Sequence, residues 1–99
     1  LMTSHDEEAR GRAIVTVLGS DRPGIVASVS GVLAQCNANI LDISQTILQD
    51  IFTMTMLIDL SVTTIEFASL QERLTALSEE LGVQISMQRE EVFKYMYRL

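Results

Sequence analysis

Asp21-Arg22-Pro23-Gly24-Ile25-Val26 marks the point where one periodicity gives way to another. Before it, Arg12 to Leu18 alternates, with Ala13, Val15 and Val17 on one face and Ile14, Thr16 and Leu18 on the other. A period of two is a β-strand. Two mostly apolar faces predict a central strand, covered on one side and partly on the other. Gly19 and Ser20 break that run. After the segment, Ile25, Val26, Val29, Val32, Leu33 and Cys36 fall on one stripe of a helix. Asp21 is placed to cap this helix through its carboxylate. Pro23 presets a helical φ where a missing N–H does little harm. Gly24 leaves room for backbone or ligand to come close. The expected product is a strand, a short loop and an exposed helix N-terminus. Such a terminus presents unpaired N–H groups and a partial positive charge, which suits a carboxylate.

The rest of the chain extends the same pattern. Asn37 is placed to end the helix in a left-handed conformation. Asn39 to Gln49 reads as a second strand, with Leu41, Ile43 and Ile47 alternating. Ile40 and Leu48 fall off that alternation, which points to a bulge. Gln49-Asp50 resembles a tight hairpin turn. Ile51 to Leu60 then alternates, with Phe52, Met54, Met56, Ile58 and Leu60 against Thr53, Thr55, Leu57 and Asp59. Thr63-Thr64-Ile65-Glu66 has the pattern of a capping box. Behind it Phe67, Leu70, Leu74, Leu77 and Leu81 step by three and four, and Gly82 closes the helix. Val83, Ile85 and Met87 alternate as a last strand. Glu90 to Leu99 returns to helical spacing, with Val92, Phe93 and Met96 on one side.

The order is β-α-β-β-α-β plus a C-terminal helix. Crossovers of one hand place both long helices on the same face of the sheet. The fold class is therefore α+β, a ferredoxin-like sandwich with a four-stranded antiparallel sheet. Ile51 to Leu60 and Val83 to Met87 supply more apolar residues than two helices cover. A second copy, or the last helix, is expected to shield the remainder and to solve the open-edge problem of a small sheet.

Composition narrows the function classes. Residues 1–11 read as a disordered or expression-derived tail and residues 12–99 as one domain. The 99-residue chain is 47% hydrophobic, with a mean hydropathy of +0.26, enough for a core. No apolar run approaches the ~20 residues of a membrane span, so no membrane partner is expected. The first ten residues are polar and acidic, unlike a secretory signal. A single cysteine excludes an internal disulfide and fits a reducing cytoplasm. The net charge of −6 repels phosphate backbones. With 5% aromatics and no Trp, base-stacking platforms are scarce. No nucleic-acid partner is expected.

Catalysis and metal binding find no residues. An RNA-recognition motif needs aromatics on its central strands. These strands carry Val15, Val17, Thr53, Met54 and Thr55, with only Phe52 at one end. A metallochaperone needs two thiols, and Cys36 is alone on an apolar helical stripe. His5-Asp6-Glu7-Glu8 belongs to the tail. His5 is the only histidine, so no Ser–His or Cys–His pair arises in the domain. Asp42 and Asp59 lie on strands with no basic partner implied. The expectation is a non-enzyme with no catalytic residue, metal or cofactor. Met54 and Met56 read as core, with an adaptable partner surface as the rival reading.

A strand, then Asp21-Arg22-Pro23-Gly24-Ile25-Val26, then a helix, then Asn39-Ile40 opening the second strand, resembles an ACT domain. The Ile43-Ser44-Gln45 continuation is similar to the small stand-alone ACT proteins of bacteria and archaea. The resemblance covers Arg12 to about Leu99. It implies a regulatory module that binds an amino acid or similar small carboxylate, with the site at the first strand–helix loop and often between two copies. Carried onto this chain, it implicates Gly19, Ser20, Asp21, Gly24 and Ile25, with Asn39 and Ile40 facing them and Gln45 as a further polar contact. Helix N–H groups near Gly24 and Ile25 would hold the α-carboxylate. Asp21 and the Asn39 side-chain oxygen would accept from the α-ammonium. The resemblance also implies a homodimer, its sheets joined side by side, that modulates a metabolic enzyme or transcription factor. The alternative is an interaction module without a small ligand, docking a partner through its open sheet or through Val92, Phe93, Tyr95, Met96 and Tyr97.

Overall fold

The alternation around Val15 resolves into strand β1 (Arg12–Ser20), which sits between two others. The computed structural model describes residues 11–20 and 22–96. After β1 come α1 (Ile25–Gln35), β2 (Asn39–Leu48), β3 (Ile51–Asp59), α2 (Phe67–Leu81), β4 (Gln84–Arg89) and α3 (Glu90–Met96). The sheet order is β2-β3-β1-β4, and all three ladders are antiparallel. This is the ferredoxin-like sandwich expected from the sequence. The tail with His5-Asp6-Glu7-Glu8, together with Asp21 and Tyr97, lies outside the described residues.

The core forms where period two meets period 3.6. Ala13, Val15 and Val17 of β1 turn the same way as Phe52, Met54, Met56 and Ile58 of β3 and Met87 of β4. They meet Ile25, Val29 and Leu33 from α1 and Leu70, Leu74 and Leu77 from α2. Each such side chain contributes about 1.5–3 kcal/mol on leaving water. Met54 and Met56 are fully buried, so they fill the core. Cys36 is buried beside them and receives a hydrogen bond from Arg73 Nη1 at 3.0 Å.

Several local readings need correction. Helix α1 starts at Ile25, and its N-cap is Gly24 with φ 91°. Pro23 therefore precedes the helix and is not in its first turn. The chain leaves β1 so sharply that the left-handed bend falls on the residue able to take it. Likewise α2 starts at Phe67 with an extended Glu66 as N-cap and no side-chain cap. Thr63 Oγ1 donates instead to the Leu60 carbonyl at 2.9 Å, and the Thr64 N–H donates to the Cys36 carbonyl at 3.0 Å. Thr63–Glu66 is thus a connector tied to β3 and to the end of α1. Other readings match: Asn37 has φ 61°, Gln49 φ 58° and Gly82 φ 70° at the predicted turns. The β2 bulge falls between Ile40, opposite Ile58, and Asp42, opposite Leu57.

The surplus apolar surface lies on a different strand from the one expected. Phe52, Met54, Met56 and Ile58 of β3 are all buried. Leu41, Ile43, Ile47 and Leu48 of β2 are exposed, as is Ile51 just after the hairpin. As the edge strand next to β3, β2 lies beyond the width that two helices cover. Helix α3 turns onto the other side of the sheet. Its start is held by an Arg12 Nη2–Glu90 Oε2 ion pair of 2.8 Å. Phe93 sits over Thr16, Leu18 and Ser86, bounding a 340 Å³ cleft. No helix among the described residues is long and apolar enough to cross a membrane.

Asn37 closes α1 twice over, through its positive φ and through Nδ2 donating to the Val62 carbonyl at 2.9 Å. Asn37→Ala is expected to lower stability by about 1–2 kcal/mol. Asn37→Gly, which keeps the backbone free, should lose less. Urea unfolding of the two variants measures the difference, and equal losses would assign the whole effect to the side-chain bond.

Candidate functional site

The loop between β1 and α1 is built from two glycines with opposite surroundings. A side chain on Gly19 would bring its Cβ within 2.6 Å of Val83 Cγ1 and 2.9 Å of Val83 Cβ. Gly19 is therefore needed so that the buried Val83, entering β4, can close over the strand end. At Gly24 nothing among the described residues lies within 4 Å of where a Cβ would stand. Arg22, Pro23 and Gly24 are exposed.

The first turn of α1 starts when Ser28 N–H donates to the Gly24 carbonyl at 2.9 Å. No side chain caps this terminus among the described residues, and no acidic residue occupies its first turn. The Arg22 cation is nearby in sequence. Ile25 offers this site only its backbone, because its side chain belongs to the core. Ser20 ends β1 opposite Ile51 and is exposed. The arrangement suits a small anion held by backbone N–H groups.

Asn39 and Ile40 do not face this loop within one chain. Asn39 pairs with Asp59, which pairs with Arg12, at the opposite end of the sheet from Ser20. Arg12 and Ser20 are eight positions apart along β1, roughly 26 Å of strand. Ile40 lies opposite Ile58 and packs against the core. Gln45 stands opposite Met54 on the helix side of β2, exposed at the sheet edge and nearer the loop end. One chain thus brings together Gly19, Ser20, Gly24 and Ile25, and leaves Asn39 and Ile40 apart from them.

A second cavity was not anticipated from the sequence. Leu60, Thr63, Ile65, Glu66, Phe67, Ala68, Leu70 and Arg89 line an open cleft of about 540 Å³ at the same end of the sheet as Asn39. The Arg89 guanidinium lies 4.3 Å from the centre of the Phe67 ring. Phe67 and Arg89 come from different elements, and no spacing pattern announces their contact. The only local signal was the Thr63–Glu66 turn, read as a cap.

The contact between Gly19 and Val83 makes a direct prediction. Gly19→Ala should cost about 1–3 kcal/mol by overpacking. Adding Val83→Ala should bring the double variant below the sum of the two single losses. Chemical denaturation of the four proteins closes this cycle; strict additivity would mean that Gly19 serves something other than this fit.

Known proteins agree with the geometry. A family model described as the ACT domain matches residues 12–88. A UPF0237 protein of Methanocaldococcus jannaschii is 54% identical over 88 residues, which is 89% of this chain and 98% of that protein. A UPF0237 protein of Listeria innocua is 51% identical over 88 residues, 89% of this chain and 99% of its own. Among solved structures, an ACT domain protein from Streptococcus pneumoniae superimposes with a TM-score of 0.74 at 41% identity, over 88% of this chain and 98% of that one. Strand order, the glycine-cut loop and these likenesses agree, and the chain belongs to the ACT domain family.

Proposed function

We propose that this chain is a regulatory ACT protein that binds an amino acid, or a similar small carboxylate, at the β1–α1 loop of one copy and the β2 strand of another. The observation that carries this reading is the strand register. Asn39 and the loop lie at opposite ends of one sheet. Pairing two β2 edges antiparallel about a twofold axis reverses one copy relative to the other. The start of β2 in one protomer then lies at the loop end of its partner. The exposed Ile43 and Ile47 support such an edge, since pairing would remove both from water.

The chemistry follows from the two halves. The first turn of α1, opened by Gly24, holds the α-carboxylate. Asn39 of the partner supplies an oxygen to the α-ammonium, with Asp21 from the loop as a second acceptor. Gln45 lines the approach from the edge. No histidine, paired thiol or acid–base couple stands at this loop, so the reading is regulatory and not catalytic. Binding across a seam transmits occupancy only as far as the ligand prefers one dimer arrangement over another. A metabolic enzyme or a transcription factor, in the cytoplasm, is the partner that would receive this signal.

Thermal unfolding in the presence of each of the twenty amino acids tests the reading. A ligand at 100 times its Kd adds about 2.7 kcal/mol of stability. A selective rise is expected, lost in Asn39→Ala and in Gly24→Val. Mixing those two variants should restore part of the rise, because a mixed dimer keeps one unaltered loop facing one unaltered Asn39. A folded dimer that responds to no amino acid would turn the function towards partner docking. A response lost in both variants and not restored by mixing would place the site within one chain.

A further inference from the structure

The side of the sheet opposite α1 and α2 is the seat of α3, and the fit there is poor. Alternation places Arg12, Ile14, Thr16 and Leu18 of β1 on this side, beside Gln84, Ser86 and Gln88 of β4. Ser44 stands opposite Thr55, Thr55 opposite Thr16, and Thr16 opposite Ser86, so one row of four hydroxyls crosses the sheet. Such a floor gives a helix little apolar surface to bury. Helix α3 packs on β1 and β4, yet none of its described residues is buried. Glu91, Val92, Lys94, Tyr95 and Met96 are all exposed. Phe93 reaches down half-buried and still leaves the 340 Å³ cleft between itself, Thr16, Leu18 and Ser86.

Polar atoms are stranded on the same side. Among the described residues, Arg12 Nε and Gln88 Oε1 are buried without a hydrogen-bond partner. A buried donor or acceptor left unpaired favours any state in which water reaches it. The start of α3 supplies the opposing force. Arg12 Nη2 meets Glu90 Oε2 at 2.8 Å, and Lys94 Nζ lies 3.5 Å from the same oxygen. The Arg12 side chain is 36% exposed, so this contact is open to screening by salt. Across the β1–β3 ladder Arg12 stands opposite Asp59, a second carboxylate for the guanidinium once Glu90 leaves.

We propose that α3 is a releasable strap, which lifts from β1 and β4 while the sandwich beneath stays folded, with the Arg12–Glu90 pair as its catch. Release hydrates Arg12 Nε and Gln88 Oε1 and lays open Thr16, Ser86 and the cleft beside Phe93. No core side chain has to leave its place, because α1 and α2 fill the core from the other side. Opening below the level of global unfolding belongs to elements with few buried contacts. Ionic strength thereby sets which surface the domain shows over β1 and β4. The inference does not rest on the ligand reading, since the β1–α1 loop and the β2 edge take no part in it.

Amide hydrogen exchange of the full chain, followed by NMR, tests this. The Lys94, Tyr95 and Met96 amides report on α3, being far enough along to donate within it. The Val15 and Val17 amides report on the sheet, and thiol labelling of the buried Cys36 reports opening of the core. At about 1 M salt, where the Debye length is about 3 Å, the α3 amides should exchange faster while Val15, Val17 and Cys36 stay protected. Arg12→Gln should quicken the α3 amides about fivefold at low salt and remove most of their salt response. Residue 12 lies on β1, so that change reaches α3 only through docking. Gln88→Met, which removes the stranded acceptor at equal length, should slow the same amides. Three results would overturn the inference. One is α3 amides that are unprotected in the unaltered chain. Another is exchange of α3 only in step with Cys36 labelling. The third is equal α3 exchange in the unaltered and Arg12→Gln proteins at low and at high salt.

Discussion

The structure depends on how β1 is held between β3 and β4. Val15 lies opposite Met56 on one side and Met87 on the other, and all three are buried. A strand's side chains alternate strictly, so slipping either ladder by one residue would turn its whole apolar set to the wrong face. The two ladders together decide which side of the sheet both helices must cover. They also bring the end of β1 to Val83, and with it the position of the loop and of the exposed start of α1. The place of the candidate site in the molecule follows from that register.

The same constraint leaves part of the sheet uncovered. Two helices bury the inner faces of β1, β3 and β4, but beyond Ile40 leave that of β2 uncovered. Its apolar residues face water along one edge. On the other side α3 shields only β1 and β4. The outcome is a domain whose core is closed and whose margin is not. Such a margin is usual where a small sheet is completed by another chain. In the proposed ligand site, a second β2 would bridge the separation of Asn39 from the loop.

Much of this was legible in the sequence because it is local. Alternation and helical spacing are set by neighbouring side chains, so the elements and their order emerge without any long-range information. The turn chemistry of Asn37, Gln49 and Gly82 is equally local, and each residue takes a positive φ. Errors arose where a nearby residue competed for the same role. Gly24 took the N-cap position of α1 and left Pro23 before the helix, because only a glycine takes that backbone turn without strain. Thr63 turned to the Leu60 carbonyl and Thr64 to Cys36, so the four-residue cap pattern became a connector.

By itself the sequence determined the α+β sandwich, the inward set of β1, α1 and α2, and the strand–loop–helix passage at Gly24. These follow from periods and backbone preferences that act over a few residues. Only the tertiary structure decided that Gly19 is glycine for the sake of Val83. It alone showed that Asn39 lies a strand's length from the loop, that four hydroxyls form one row across the sheet, and that Arg89 stacks on Phe67. Those relations join residues tens of positions apart. They are fixed by ladder register and by which surfaces two helices are wide enough to cover, and no local pattern encodes either.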